Sequence, residues 1–251
     1  MKKLRPVVKF SDEKWSLKEW IISQFPENYE EMTYIEPFGG GADVLFGKNK
    51  SKIEIVNDCD VEIVNIFRAI RDEHSELIRR INLHKHCLET FEKAEKKKNF
   101  DDYLDQAVNE LLLRKMSRNG LKKQFVKTSN IKTWKSNILE LAQHAQRLKE
   151  VYIFNKSAIE IIKAFDSPDT LLYIDPPYLH ENKVSKLVYL SAMNPENHLE
   201  LYRAINEFNG KVVLSGCMSP LYKRLYKNWN MSKKRIDEGK TKKTEIIWKN
   251  F

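Results

Sequence analysis

The chain has 251 residues, 41% of them hydrophobic, and a formal net charge of +9. That suffices for one large domain, or one domain with an insertion, around a sizeable core, and the excess of cations favours polyanionic partners. No stretch approaches the ~20 apolar residues of a membrane span, no secretory signal follows Met1-Lys2-Lys3, and Cys59, Cys87 and Cys217 are too scattered for a disulfide frame or a zinc set, so the expectation is a cytoplasmic protein without a metal or a membrane.

Residues 14–25 read as an amphipathic helix, with Trp15, Leu17, Trp20, Ile21, Ile22 and Phe25 apolar. Tyr34-Ile35 is a short strand that ends at Glu36-Pro37-Phe38 and the run Gly39-Gly40-Gly41, after which Ala42 to Phe46 opens a helix. Lys52 to Asn57 alternates as a second strand, and Val61 to Arg71 has helical spacing. Residues 72–150 are charged and mostly helical, with no clear strand until Val151, and read as an inserted helical region. The sheet then resumes with Val151–Phe154, a helix from Ala158 to Phe165, and a strand at Leu171–Ile174. Asn197 to Phe208 is a helix closed by Asn209-Gly210, both tolerant of positive φ. Lys211–Ser215 is a strand, Leu221–Asn228 a short helix, and Lys233–Ile236 with Thr244–Trp248 a final hairpin. Strands alternating with helices predict an α/β fold with a doubly wound, mainly parallel sheet, built from residues 1–71 and 151–251.

Asp175-Pro176-Pro177-Tyr178 is the most informative segment. It follows the apolar run Leu171–Ile174, and neither proline has an N–H to continue a ladder. The result is a carboxylate, stiff carbonyls and an aromatic ring at the carboxyl end of a strand, where open α/β sheets bind ligands. A carboxylate and a carbonyl there can accept both hydrogens of an amino group, and the ring offers a stacking face. A plain Pro-rich turn would give the same local sequence. The glycine run lets backbone approach a ligand closely, and Asp58 ends the next strand, where a carboxylate can take two ribose hydroxyls or simply cap a helix.

From Arg114 to Lys135 there are eight basic residues and no acid, with Phe125 and Trp134 interleaved. A solvated helix face would usually mix signs, so Arg118, Asn119, Lys122, Lys123 and Lys127 are expected to contact nucleic acid. His84, His86, His144 and His180 do not share a face or a spacing suited to metal.

Glycine loop, strand-end acid and Asp-Pro-Pro-Tyr turn, in this order, resemble the Dam-type DNA adenine-N6 methyltransferases, especially the compact phage-like members. The resemblance runs from about Arg5 to Asn250 and takes in Lys14-Trp15, Tyr34–Phe38, Asn57-Asp58, Asp175–Tyr178, His198-Leu199, Lys211–Gly216 and Thr244-Glu245. It implies a seven-stranded Rossmann-like sheet, S-adenosylmethionine as donor, double-stranded DNA as substrate and a flipped-out adenine as target. It also implies that residues 72–150 recognise the target sequence. Position by position, Lys14, Phe38, Gly40 and Asp58 would line the donor site, and Asp175, Pro176 and Tyr178 the adenine site. A cognate restriction endonuclease or a second methyltransferase-like subunit is the protein partner it leaves open. The chain departs from the family pattern at Ser11-Asp12-Glu13, where a Pro-Gly-Gly-like turn is usual, at Ala42-Asp43 in place of a further glycine, and at Asn155-Lys156-Ser157, which lacks an acid. All three fall on the donor side, so a catalytically impaired or partner-dependent homologue that acts by binding DNA stays open, as does an RNA substrate.

Overall fold

A computed structural model describes residues 4–8, 14–127, 138, 140–178, 193–238 and 241–251. In chain order the elements are α1 (Lys18–Ile22), β1 (Thr33–Glu36), α2 (Asp43–Gly47), β2 (Ile53–Asn57), α3 (Val61–Asn82), α4 (Leu88–Lys96), α5 (Tyr103–Met116) and α6 (Leu141–Leu148). There follow β3 (Val151–Phe154), α7 (Ala158–Ala164), β4 (Thr170–Ile174), α8 (Pro195–Asn206), β5 (Lys211–Gly216), α9 (Pro220–Leu225), β6 (Asn230–Glu238) and β7 (Thr241–Lys249). Seven strands make one sheet in the order β3-β2-β1-β4-β5-β7-β6. β1 pairs in parallel with β2 and with β4, and β4 with β5, whereas β7 runs antiparallel to both β5 and β6. This is an α/β fold with a mainly parallel sheet, as the alternation of strands and helices predicts.

The chain divides into two compact units. One, comprising Trp20–Gly39, Asn49–Cys59 and Lys156–Phe251, carries most of the sheet. β4 is buried at every position, as expected of a central parallel strand covered on both faces. From β1 the chain winds outward to β2, and β4 lies on its other side. That reversal between β1 and β4 is the topological switch point, and the Asp-Pro-Pro-Tyr segment leaves β4 there.

The other unit comprises Met1–Glu19, Gly40–Lys48 and Asp60–Asn155. Its main element is α3, which the Asp60 side chain caps by accepting the Glu62 N–H. α3 continues through residue 72, where the sequence suggested that an insertion begins, and bends at Glu73, whose φ is −133°. Ile63, Phe67, Ile70, Leu77 and Ile81 lie on its buried side, and it packs on α5 and α6. The predicted helix at 14–25 is a 3₁₀ turn at Trp15–Leu17 followed by the short α1. No helix among the described residues is long and apolar enough to cross a membrane.

Candidate functional site

In the sheet unit, Asp175 follows directly on β4 and is half-buried, Pro176 is buried, and Pro177 and Tyr178 are half-buried. The Tyr178 hydroxyl donates to Glu245 Oε1 at 2.6 Å, and Ser215 Oγ donates to the same oxygen at 2.6 Å. Burial, then the charges of Asp175 and Glu245, push the Tyr178 phenol far above its ordinary pKa, so it stays protonated and donates. Glu245 stands on β7 and is only 1% exposed. In the sequence, Glu245 stands out only as part of Thr244-Glu245 in the family resemblance, with no role attached to it. The available signal was a lone acid directly before the apolar run Ile246-Ile247-Trp248, where a buried carboxyl needs partners.

At the ends of β1 and β2 the chain is held together through the backbone. The Gly39 N–H donates to the Asn57 carbonyl at 2.7 Å. A Cβ on Gly39 would sit 2.6 Å from Val56 Cγ2 and 2.9 Å from the Asn57 oxygen, so this approach requires glycine. The Asn57 side chain donates to the carbonyls of Pro37 at 2.9 Å and Lys156 at 3.0 Å, and accepts the Lys156 N–H at 2.9 Å. Phe38 and Asp58, both half-buried, are the neighbours of these tied residues. The helix-capping role open to Asp58 is filled by Asp60 instead. A carboxylate at this strand end, beside a backbone that a Cβ would block, fits the ribose hydroxyls of a nucleoside donor. Phe38, Asp58, Asp175, Pro176 and Tyr178 thus all stand at the carboxyl ends of β1, β2 and β4 in one unit.

Lys14 and Gly40 belong to the other unit. Lys14 is buried, and its backbone N–H donates to the Asp43 carboxylate. Gly40 has φ 48° and Ala42 φ 53°. Glycine adopts this left-handed conformation freely, whereas the Cβ of Ala42 makes it cost about 1–2 kcal/mol. A Cβ on Gly41 would lie 2.9 Å from the Val8 oxygen. The residues Ser11, Asp12 and Glu13 lie outside the described residues.

The basic segment is partly folded onto its own unit. Arg118 N–H donates to the Gln124 carbonyl at 3.0 Å, Val126 N–H to the Met116 carbonyl at 2.8 Å, and Ser117 bridges to Phe125. Arg114 is buried and paired with Glu110. Lys122 is engaged within its own unit: its Nζ lies 2.9 Å from Glu62 Oε2 and 2.9 Å from Glu110 Oε1. Burial works against the Lys122 charge, but its bonds to Glu62 and Glu110 outweigh it and hold the pKa above that of an ordinary lysine. This cation neutralises a buried carboxyl of its own fold. Arg118, Lys123 and Lys127 are exposed. Asn119 lies in the 3₁₀ turn Arg118–Gly120. The Asn119 side chain and the residues Ser129, Asn130, Lys132, Trp134, Lys135 and His180 fall outside what is described.

Residues 13–244 match the profile of the family described as D12 class N6 adenine-specific DNA methyltransferase. The chain is 25% identical over 278 residues to the Type II methyltransferase M1.LlaDCHI of Lactococcus lactis subsp. cremoris, covering 99% of this chain and 96% of the relative. It is 27% identical over 183 residues to the Type II methyltransferase M.CviBI of Paramecium bursaria Chlorella virus NC1A, covering 70% and 69%. It is also 24% identical over 264 residues to the Type II methyltransferase M.MjaIII of Methanocaldococcus jannaschii, covering 92% and 90%.

Proposed function

The chain belongs to the D12 class N6 adenine-specific DNA methyltransferases, and from that premise we propose which of its residues perform the methylation. When bound, S-adenosylmethionine supplies an activated methyl group. The adenine amino nitrogen is a poor nucleophile, because its lone pair is spread into the ring. The Asp175 carboxylate and the Pro176 carbonyl accept its two N–H bonds and hold the nitrogen in a pyramidal form with the lone pair released. The Asp175 carboxylate then takes the proton that the nitrogen sheds. Positioning and fixed charge carry this step. The target amine is inaccessible in a stacked duplex, so the base is flipped out at a cost of a few kcal/mol. Stacking on the Tyr178 ring returns ~1–3 kcal/mol of it.

The observation that carries the reading is the Asp175–Tyr178 segment leaving the fully buried β4 beside β1. Methylation-aware sequencing of a host expressing the chain tests it. N6-methyladenine within a defined motif is the expected product, and methylated cytosine would overturn the assignment of the target base.

Asp58 is proposed to hold the donor's ribose hydroxyls, with Phe38 beside it. Asp58→Ala then loses a charge-assisted hydrogen bond of ~1.5–3 kcal/mol, or roughly ten- to a hundredfold in donor affinity by calorimetry. An unchanged donor Kd would remove Asp58 from the site. Lys14 and Gly40 are proposed as donor-binding residues of the helical unit.

Target recognition is proposed for residues 72–150, with Arg118, Lys123 and Lys127 on phosphates and Asn119 at base edges. Replacing Arg118, Lys123 and Lys127 with Gln should weaken binding to all duplexes alike. It should also flatten the log–log salt dependence by up to about 0.9 for each phosphate no longer neutralised. Donor binding should not change. An unaltered salt slope would place the DNA surface elsewhere on the protein.

The Type II relatives support a cognate restriction endonuclease acting on the same DNA sequence as a functional partner. A second methyltransferase-like subunit is the other partner this reading accommodates. The cytoplasm is the working compartment proposed for the chain, on the sequence grounds given above.

A further inference from the structure

We propose that Glu245 is a positioning residue for methylation, which acts by gripping the hydroxyl of Tyr178 and so setting the plane on which the flipped adenine stacks. The inference rests on the proposed stacking role of Tyr178. Three observations in the sheet unit carry it. First, the Tyr178 hydroxyl donates to Glu245 Oε1 at 2.6 Å. Second, the same oxygen takes a second hydrogen bond of 2.6 Å from Ser215 Oγ, and Ser215 is itself fully buried on β5. Third, Glu245 is 1% exposed on β7, in register with the end of β5, where Gly216 pairs with Ile246.

A tyrosine ring that only needed to be flat and apolar would not need this arrangement. The ring turns about χ1 and χ2, and packing of its faces leaves the far end unconstrained. A bond at the para oxygen fixes the place of that far end, and because the phenolic O–H prefers to lie in the ring plane, the direction of Glu245 Oε1 also favours one tilt of the face. The backbone at this point is already stiff, because Pro176 and Pro177 restrict φ directly before Tyr178. Prolines at the root and Glu245 at the tip therefore define one ring orientation. Ser215 holds the gripping oxygen in turn, so the carboxyl cannot swing with the ring. A buried carboxyl is retained only where its hydrogen bonds offset its desolvation. Here one of those bonds goes to a residue of the adenine site.

A merely structural carboxyl would alter folding and leave turnover of the folded enzyme alone. A positioning carboxyl acts on turnover through Tyr178, and this separates the two. The test uses Tyr178→Phe, Glu245→Ala, their double variant, Glu245→Gln and Tyr178→Ala. The substrate is genomic DNA free of N6-methyladenine, with N6-methyladenosine counted by mass spectrometry. Donor and duplex affinities are measured in parallel. Tyr178→Phe and Glu245→Ala should each lower kcat about tenfold or more with both affinities unchanged. The double variant should fall no further than Glu245→Ala alone, because both changes cut the same bond. Glu245→Gln keeps an oxygen acceptor and should return kcat to within roughly threefold of wild type. Independent, multiplying losses would overturn the inference. So would a fully active Tyr178→Phe, which keeps the ring and removes only the hydroxyl, and which decides the matter should Glu245→Ala fail to fold. Impaired Tyr178→Ala beside intact Tyr178→Phe would sink the grip and spare the stacking role. Intact Tyr178→Ala would sink both.

Discussion

Asp175→Ala should reduce methyl transfer by at least about a hundredfold in kcat, the scale on which single preorganised groups act. Asp175 directly follows a strand buried at every residue, so its carboxylate is delivered by a rigid element. Pro176 cannot compensate, because its carbonyl accepts only one of the two amine hydrogens. Alanine also removes the base proposed to receive the released proton. The change should leave binding nearly untouched, since duplex affinity is proposed to come from phosphate contacts elsewhere and the donor to be held by other residues. Single-turnover methylation together with duplex binding checks this. A variant that methylates at the wild-type rate would remove the central claim, and one that fails only in DNA binding would make Asp175 a recognition residue.

Asn57→Ala should destabilise the protein by about 3 kcal/mol. Asn57 is 1% exposed, and its side chain makes three hydrogen bonds to backbone, at Pro37 and on both sides of Lys156. Each is worth about 1 kcal/mol net, and an abandoned buried partner costs more. For a chain of this size that corresponds to a fall of roughly 6–12 °C in Tm. The loss should also reach the donor. Asn57 ties Pro37 to Lys156 and lies between Val56 and Asp58, so slackening it loosens Phe38 and Asp58 together. The expected result is a lower midpoint in urea with an unchanged slope, and a weaker donor affinity in the folded protein. A midpoint equal to wild type would show that the three bonds do not hold this corner.

What was legible in the sequence is what neighbours along the chain decide. The run Leu171–Ile174 followed by two prolines specifies a strand and its end within a few residues, and the structure gives β4 at Thr170–Ile174. The strand at Val151–Phe154 is likewise local. The single helix α3 was harder. Arg71 to Glu76 is almost wholly polar and hides the apolar positions Leu77 and Ile81 that continue the buried face beyond the bend at Glu73. The illegible features depend on residues far apart. Lys122 is 60 positions from Glu62, Tyr178 is 67 from Glu245, and Asn57 is 99 from Lys156. A run of cations without an acid between them suggests a free basic surface until the fold brings Glu62 and Glu110 to it. The cost of alanine at 42 turned on the sign of φ, which composition does not reveal.

The place of β7 has a consequence for synthesis. β6 leaves the ribosome before β7, yet β7 is the strand that pairs with β5, and β6 is reached only through it. Until β7 emerges, the nascent chain carries β5 with one ladder edge open, and β5 holds Val212, Val213 and Leu214, all 0% exposed once folded. An open apolar edge of this kind recruits strands from other chains. The strand that covers it also delivers Glu245 to Ser215 and Tyr178. Protection from aggregation and completion of the proposed adenine site therefore arrive in one event, so the nascent chain has no half-built site that is also safely folded.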